Sequence, residues 1–118
     1  MKHRKQGRTL GRTKRGREAL LRSLARSLVL KEGIVTTVAK AKELRPFVER
    51  LVSMSKKDSA SSRRIVASRL DGAPDVIKKL YGTLGPRYAK RAGGYTRVVR
   101  LGRVGKRVGE AARIEFVE

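Results

Sequence analysis

Apolar residues at helical spacing begin only after residue 17, and that onset decides where a core can form. The first seventeen residues, MKHRKQGRTLGRTKRGR, hold eight basic side chains and no acid, and Leu10 is their only substantial apolar side chain after the initiator. Such a segment cannot bury enough surface to offset its ordering entropy. The rest of the 118-residue chain suffices for one small domain. The expected division is an extended basic arm over residues 1–16 and a single compact domain over 17–118.

The charge is uneven along that domain. Residues 18–75 carry twelve basic and seven acidic side chains, an ordinary mixed-charge surface, whereas from Val76 to Gly109 there are ten Lys or Arg and no acid. A solvated face normally mixes signs, so this segregation favours a binding surface. A compact body with a net charge of +21 repels itself, and a polyanion is its expected companion. Aromatics are 4% of residues and Trp is absent, which argues against a platform that stacks many single-stranded bases. With no Cys and a lone His3, neither a thiolate or histidine metal cluster nor a Ser-His-Asp triad is expected, and no cofactor is. The most apolar stretch, ALLRSLARSLVL, is broken by arginines, so no membrane span or secretory signal is expected. A soluble intracellular protein follows, although an Arg-rich, acid-poor start also describes an organellar transit peptide.

Periodicity predicts the elements. Leu20, Leu21, Leu24, Leu28 and Val29 make one helical face after Gly16, with Arg22 and Arg26 pointing elsewhere and Gly33 as C-terminal cap. The β-branched Ile34-Val-Thr-Thr-Val38 reads as a strand. Ala41, Leu44, Val48, Leu51 and Val52 keep helical phase across Pro46, which predicts one kinked helix, with two shorter helices as the alternative. A third helix is expected over 59–70 with Ile65, Val66 and Leu70 facing in. A fourth opens at Pro74 and is stopped by Gly85-Pro86. Strands at 95–101 and 111–117 follow, the second alternating Ala112, Ile114 and Phe116 against Arg113 and Glu115. The expected fold class is α+β, a two-layer α/β domain of element order α-β-α-α-α-β-β with a helical layer on a small sheet.

Motifs for chemistry are missing. Gly102-Arg-Val-Gly105 matches a GXXG loop, but lies between strands where such domains place it between helices. Gly105-Lys106 resembles the end of a P-loop, yet position 100 is Arg and position 107 is Arg. Ser59, Ser61 and Ser62 read as a helix cap and its solvated first turn, and no acid–base pair or nucleophile stands out, so no enzyme is expected. The basic ends are therefore the candidate sites. In the arm these include Arg4, Lys14 and Arg15, whose guanidinium forks suit phosphate oxygens. In the block GPRYAKRAGGYTRVVR they include Arg87, Lys90, Arg91 and Arg97, with Gly93-Gly94 letting backbone amides approach a phosphate. Tyr88 or Tyr95 could lie on a ribose or base, although tyrosine at a strand start is more often core. Arg97 and Arg100 should fall on opposite strand faces.

At this point the chain resembles a known family. MKHRKQGRTLGR, IVTTVAKAKELRPFVERL, GPRYAKRAGGYTRVVRLG and the ending RIEFVE are similar to protein seventeen of the bacterial large ribosomal subunit. The resemblance implies a small non-enzymatic α/β protein bound to 23S rRNA on the outer side of that subunit beside other ribosomal proteins, in the cytoplasm. By match to the family's pattern, Lys2, His3, Lys5, Gly7, Arg8, Leu10, Arg12 and Arg17 correspond to its RNA-facing arm, and Gly93, Gly94, Tyr95, Thr96 and Arg97 to its second signature. The chain departs from that pattern at Gly11, where the family commonly has Asn, and at Lys14-Arg15-Gly16, where it commonly has Ser-Ser-His. A match beginning at Met1 also weighs against the transit-peptide reading. Two rival classes fit the charge: a nucleoid-associated DNA-binding protein, and a membrane-active amphipathic segment at 17–32.

Overall fold

The computed structural model describes residues 13–103 and 109–118. Its elements are α1 (Lys14–Lys31), β1 (Gly33–Thr37), α2 (Val38–Ser55), α3 (Ala60–Leu70), α4 (Pro74–Lys79) and a π-helical turn (Leu80–Leu84). A final turn α5 (Gly85–Arg87) and strands β2 (Thr96–Gly102) and β3 (Ala111–Phe116) complete them. This is an α+β fold, as the periodicity predicts. The strands form one antiparallel sheet in the order β1-β3-β2, with the last strand in the middle. Ile114 lies between Ile34 and Val98, and Arg113 lies between Val35 and Val99. One face of the sheet (Thr96, Ala112, Ile114, Phe116) is buried with the helices, while Val35, Val99, Leu101, Arg97 and Arg113 remain exposed on the other.

Each helix starts on a side-chain cap or a proline. Thr13 Oγ1 accepts the Gly16 N–H at 3.2 Å, so α1 begins at Lys14 rather than after Gly16. Lys14 and Arg15, expected in the extended arm, are therefore helical. A threonine cap contributes about 1 kcal/mol, enough to offset a glycine in the first turn. Thr37 caps α2 and Ser59 caps α3 in the same way. α2 runs unbroken through Pro46. Proline inside a helix costs about 3 kcal/mol, but Pro46 sits on the exposed side while Leu44, Val48, Leu51 and Val52 are fully buried opposite it. Burying each such side chain contributes about 1.5–3 kcal/mol, so packing wins.

Five local expectations need correction. Gly33 does not cap α1; Glu32 takes the left-handed position (φ 63°) and donates its N–H to the Leu28 carbonyl at 2.7 Å. Left-handed backbone is unfavourable for a non-glycine by about 1–3 kcal/mol. It is held here because the Glu32 carboxylate grips Lys79 (3.2 Å) and Arg87 (2.5 Å) and its carbonyl accepts the Phe116 N–H at 3.0 Å. Gly85-Pro86 does not stop the fourth helix. The chain widens instead, Gly85 donating to the Leu80 carbonyl five residues back, and Pro86, which has no N–H to place, enters the last turn. Ile65 faces solvent while Val66 and Leu70 face in. Ser62 is no solvated residue, because its hydroxyl donates to the Met54 carbonyl (2.7 Å) and meets the Tyr81 hydroxyl at 2.6 Å. Arg26, also read as off the core, is half-buried and caps the C-terminus of α3 through the Leu70 carbonyl at 3.0 Å.

Two consequences can be measured. A Cβ at Gly85 would stand 2.5 Å from the Ser55 carbonyl oxygen, a backbone atom that cannot swing away. Gly85→Ala should therefore destabilise the domain by about 1–3 kcal/mol in urea unfolding. The Arg87 guanidinium, with Lys79 behind it, holds the Glu32 carboxyl at about 2, against an ordinary 4.5. A depressed acid pKa stabilises the fold above the unfolded value and loses that contribution as pH falls from about 4.5 toward 2. Because the pair is partly exposed, Glu32→Gln should cost about 1 kcal/mol at pH 7. The gap to the parent chain should close when melts are repeated down to pH 2.

Candidate nucleic-acid interface

Within the acid-free block, the loop over 89–94 forms its surface by burying the tyrosines at its two ends. Tyr88 and Tyr95 are 2% and 1% exposed, and their rings meet at 5.1 Å between centroids, tilted by 42°. The Tyr88 hydroxyl donates to the Val117 carbonyl, and the Val117 N–H donates to the Tyr95 carbonyl at 2.9 Å. The Tyr95 hydroxyl lies 3.1 Å from Ser53 Oγ and 3.3 Å from the Arg91 carbonyl. Residues 89–94 are thus pinched off as a loop whose feet stand in the core.

Helix α2 holds the loop from the side. The Lys56 ammonium donates to the Arg91 carbonyl and sits 4.7 Å above the Tyr95 ring. Two turns earlier, Glu49 Oε2 accepts both the N–H (3.2 Å) and the hydroxyl (2.9 Å) of Thr96, fixing the first residue of β2. Lys90 and Arg91 stand exposed on this frame, and among the described residues no carboxylate pairs with either. A Cβ at Gly93 or Gly94 would meet nothing within 4 Å, so the loop backbone is open to an approaching group; Gly94 also has φ +65°.

The other sequence candidates are distributed differently. Tyr95, read as a possible base or ribose contact, is core, and its buried ring has no face to offer a base. Arg87 gives its guanidinium to Glu32, and Arg97 lies on the uncovered sheet face paired with Glu115 at 2.6 Å. Lys14, Arg15 and Arg17 occupy the first turn of α1, which contains no acid. Cations there oppose the helix dipole by about 0.3–1 kcal/mol each, so their placement does not serve helix stability. Lys2, His3, Arg4, Lys5, Gly7, Arg8 and Arg12 lie outside the described residues. Lys56, Ser53 and Glu49 were missed by sequence reasoning. No local pattern signals them, since they meet the loop across 35 to 47 positions of chain.

The arrangement has little to offer a reaction. An open cleft of about 390 Å³ between α1 and β1 is lined by Leu24, Ser27, Lys31, Gly33, Ile34, Val35 and Arg113, with no carboxylate to make an acid–base pair. Among the described residues no group of three His, Cys, Asp or Glu could hold a metal, and no helix is long and apolar enough to cross a membrane. A small α+β body that ties down half of its acids and raises an acid-free loop has a charge layout complementary to a polyanion. The family model described as Ribosomal protein L17 matches residues 20–118, and the chain belongs to that family. It is accordingly a structural protein of the large ribosomal subunit. The matched stretch includes the whole loop and the sheet; residues 1–19 precede it.

The tyrosine frame makes a prediction. Tyr95→Phe removes the hydroxyl that joins Ser53 to the Arg91 carbonyl but keeps the ring stack. Unfolding free energy should fall by about 1 kcal/mol, and amide exchange at residues 90–94 should quicken more than in the core strand β3.

Proposed function

We propose that the protein binds 23S rRNA through two cationic segments: its N-terminal arm and the loop between Tyr88 and Tyr95. Lys2, His3, Arg4, Lys5, Gly7, Arg8 and Arg12 serve as the first, continued by Lys14, Arg15 and Arg17 in the opening turn of α1. Lys90, Arg91, Gly93 and Gly94 serve as the second, with Arg87 and Arg97 at its margins. The observation that carries this reading is the loop: its cations are exposed and free of carboxylates while both its feet are buried. A preformed loop loses little entropy when it meets a phosphate, and its open glycines leave backbone N–H groups within reach of one. Tyr95 supports the loop rather than touching RNA. Most contacts are to phosphate and sugar, which position the protein without reading sequence. The protein works in the cytoplasm as part of the ribosome, packed beside other large-subunit proteins.

Titrating large-subunit rRNA with the full chain over a range of salt tests this. If about eight phosphates are neutralised, log affinity should fall against log salt with a slope of about −6 to −7. A slope near zero, or equal affinity for duplex DNA, would overturn the reading, the latter in favour of a nucleoid protein. Arg91→Gln should weaken binding without moving the melting temperature. Gly94→Ala should in addition cost about 1 kcal/mol of stability, because its backbone conformation is left-handed.

A further inference from the structure

Sequence reasoning set residues 18–75 aside as an ordinary mixed-charge surface, but folding separates the signs. On α2 the positions 42, 45, 46, 49, 50 and 53 line one side, opposite the buried Ala41, Leu44, Val48, Leu51 and Val52, and the exposed Lys57 follows just past the end of the helix. We propose that the exposed cations of this stripe, Lys42, Arg45, Arg50 and Lys57, form a further RNA-backbone contact continuous with the loop at Arg91. The inference rests on the rRNA reading above and enlarges its footprint from a loop to a line.

From Lys42 to Ser53 the line is about 16 Å long at 1.5 Å per residue, with a charge on most turns and Lys57 just beyond the helix end. The turn at Ser53 carries no cation of its own, and there the loop supplies one. Ser53 Oγ meets the Tyr95 hydroxyl, which donates to the Arg91 carbonyl, so Arg91 stands beside that turn. Lys56 reaches the same carbonyl. The acid within the stripe, Glu49, is drawn toward the sheet by both donors of Thr96, with Arg45 at 3.5 Å as a third neighbour. Glu43, at the margin, is half-buried and engaged. Among the described residues, Lys42, Arg50 and Lys57 have no carboxylate partner.

The partner's chemistry follows from what the stripe lacks. An amphipathic helix lies on a membrane by its apolar face, and the apolar face of α2 is already in the core. A protein interface centres on aromatic or aliphatic anchors, and here Pro46 is the sole apolar residue among the stripe positions named. A row of ammonium and guanidinium groups with nothing apolar between them suits an RNA backbone, read by its phosphates and shape rather than its bases.

The test compares two triple variants with the parent chain, titrating large-subunit rRNA across salt concentrations. Lys42→Gln with Arg50→Gln and Lys57→Gln removes the stripe. Arg64→Gln with Arg69→Gln and Lys78→Gln removes the same charge from α3 and α4. The stripe variant should bind more weakly, with a salt slope shallower by about 2 to 3, and the control by less than 1. Equal slopes for both variants would mean diffuse attraction only and would overturn the proposal, as would a stripe variant that keeps the parent's slope. Parent protein that fails to bind rRNA at all would overturn the underlying reading instead, and the inference with it. Should the stripe variant not fold, acylation of lysines in the parent protein decides: rRNA must shield Lys42 and Lys57 more than Lys78, and equal shielding refutes the contact.

Discussion

With 31 basic residues against 10 acidic ones, every carboxylate is scarce, and the fold uses half of them as fasteners. Glu32 grips Lys79 and Arg87 and so joins the end of α1 to the fourth helix. Glu49 ties α2 to the start of β2 through Thr96. Glu115 holds Arg97 and Arg113 across the open face of the sheet, Asp58 takes the fork of Arg63, and Glu110 meets Arg100. Surface pairs of this kind contribute little each, typically below about 1 kcal/mol. Their larger effect is spatial. Acids spent on internal joints are not available to neutralise the loop or the stripe, and the surplus positive charge collects where no joint is needed.

The same economy explains how a modest core carries so basic a shell. Leu28, Leu44, Leu51, Leu70, Leu80, Leu84 and Ile114 are fully buried, drawn from both layers, and α2 contributes one whole side to that core. Its packing is what tolerates Pro46. Because the proline faces solvent, helix continuity survives and the cations on either side of it stay in one line. A break at Pro46 would have divided that line in two.

The loop between the tyrosines shows how structural and functional parts divide the labour within a single motif. Its aromatic rings, its threonine and the backbone carbonyl of Arg91 are turned inward and satisfied; its lysine, arginine and glycines are turned outward. Membership of a ribosomal protein family is consistent with that division, since a protein that sits permanently on a polyanion gains from a surface ordered before contact.

Helical periodicity made α1, α2, α3 and the start at Pro74 legible from the residues alone, and the alternation of Ala112, Ile114 and Phe116 identified β3 with its inner face. These signals are local, arising within a few turns of chain, and burial only reinforces them. The charge segregation after Val76 pointed to the loop for the same reason. What tertiary structure alone decided depends on atoms far apart in sequence. Glu32, left-handed at the end of α1, meets Lys79 and Arg87 only through the fold. Gly85 fits the fourth helix by lying against the Ser55 carbonyl, and Tyr95 is core because Ser53, Lys56 and Tyr88 surround it. The sheet order, with the last strand between the other two, likewise depends on pairings no local pattern encodes. Sequence by itself therefore determined the elements and the sign of the surface. Only folding determined which charges are spent holding the molecule together and which remain for its partner, because a charge's availability depends on its neighbours in space.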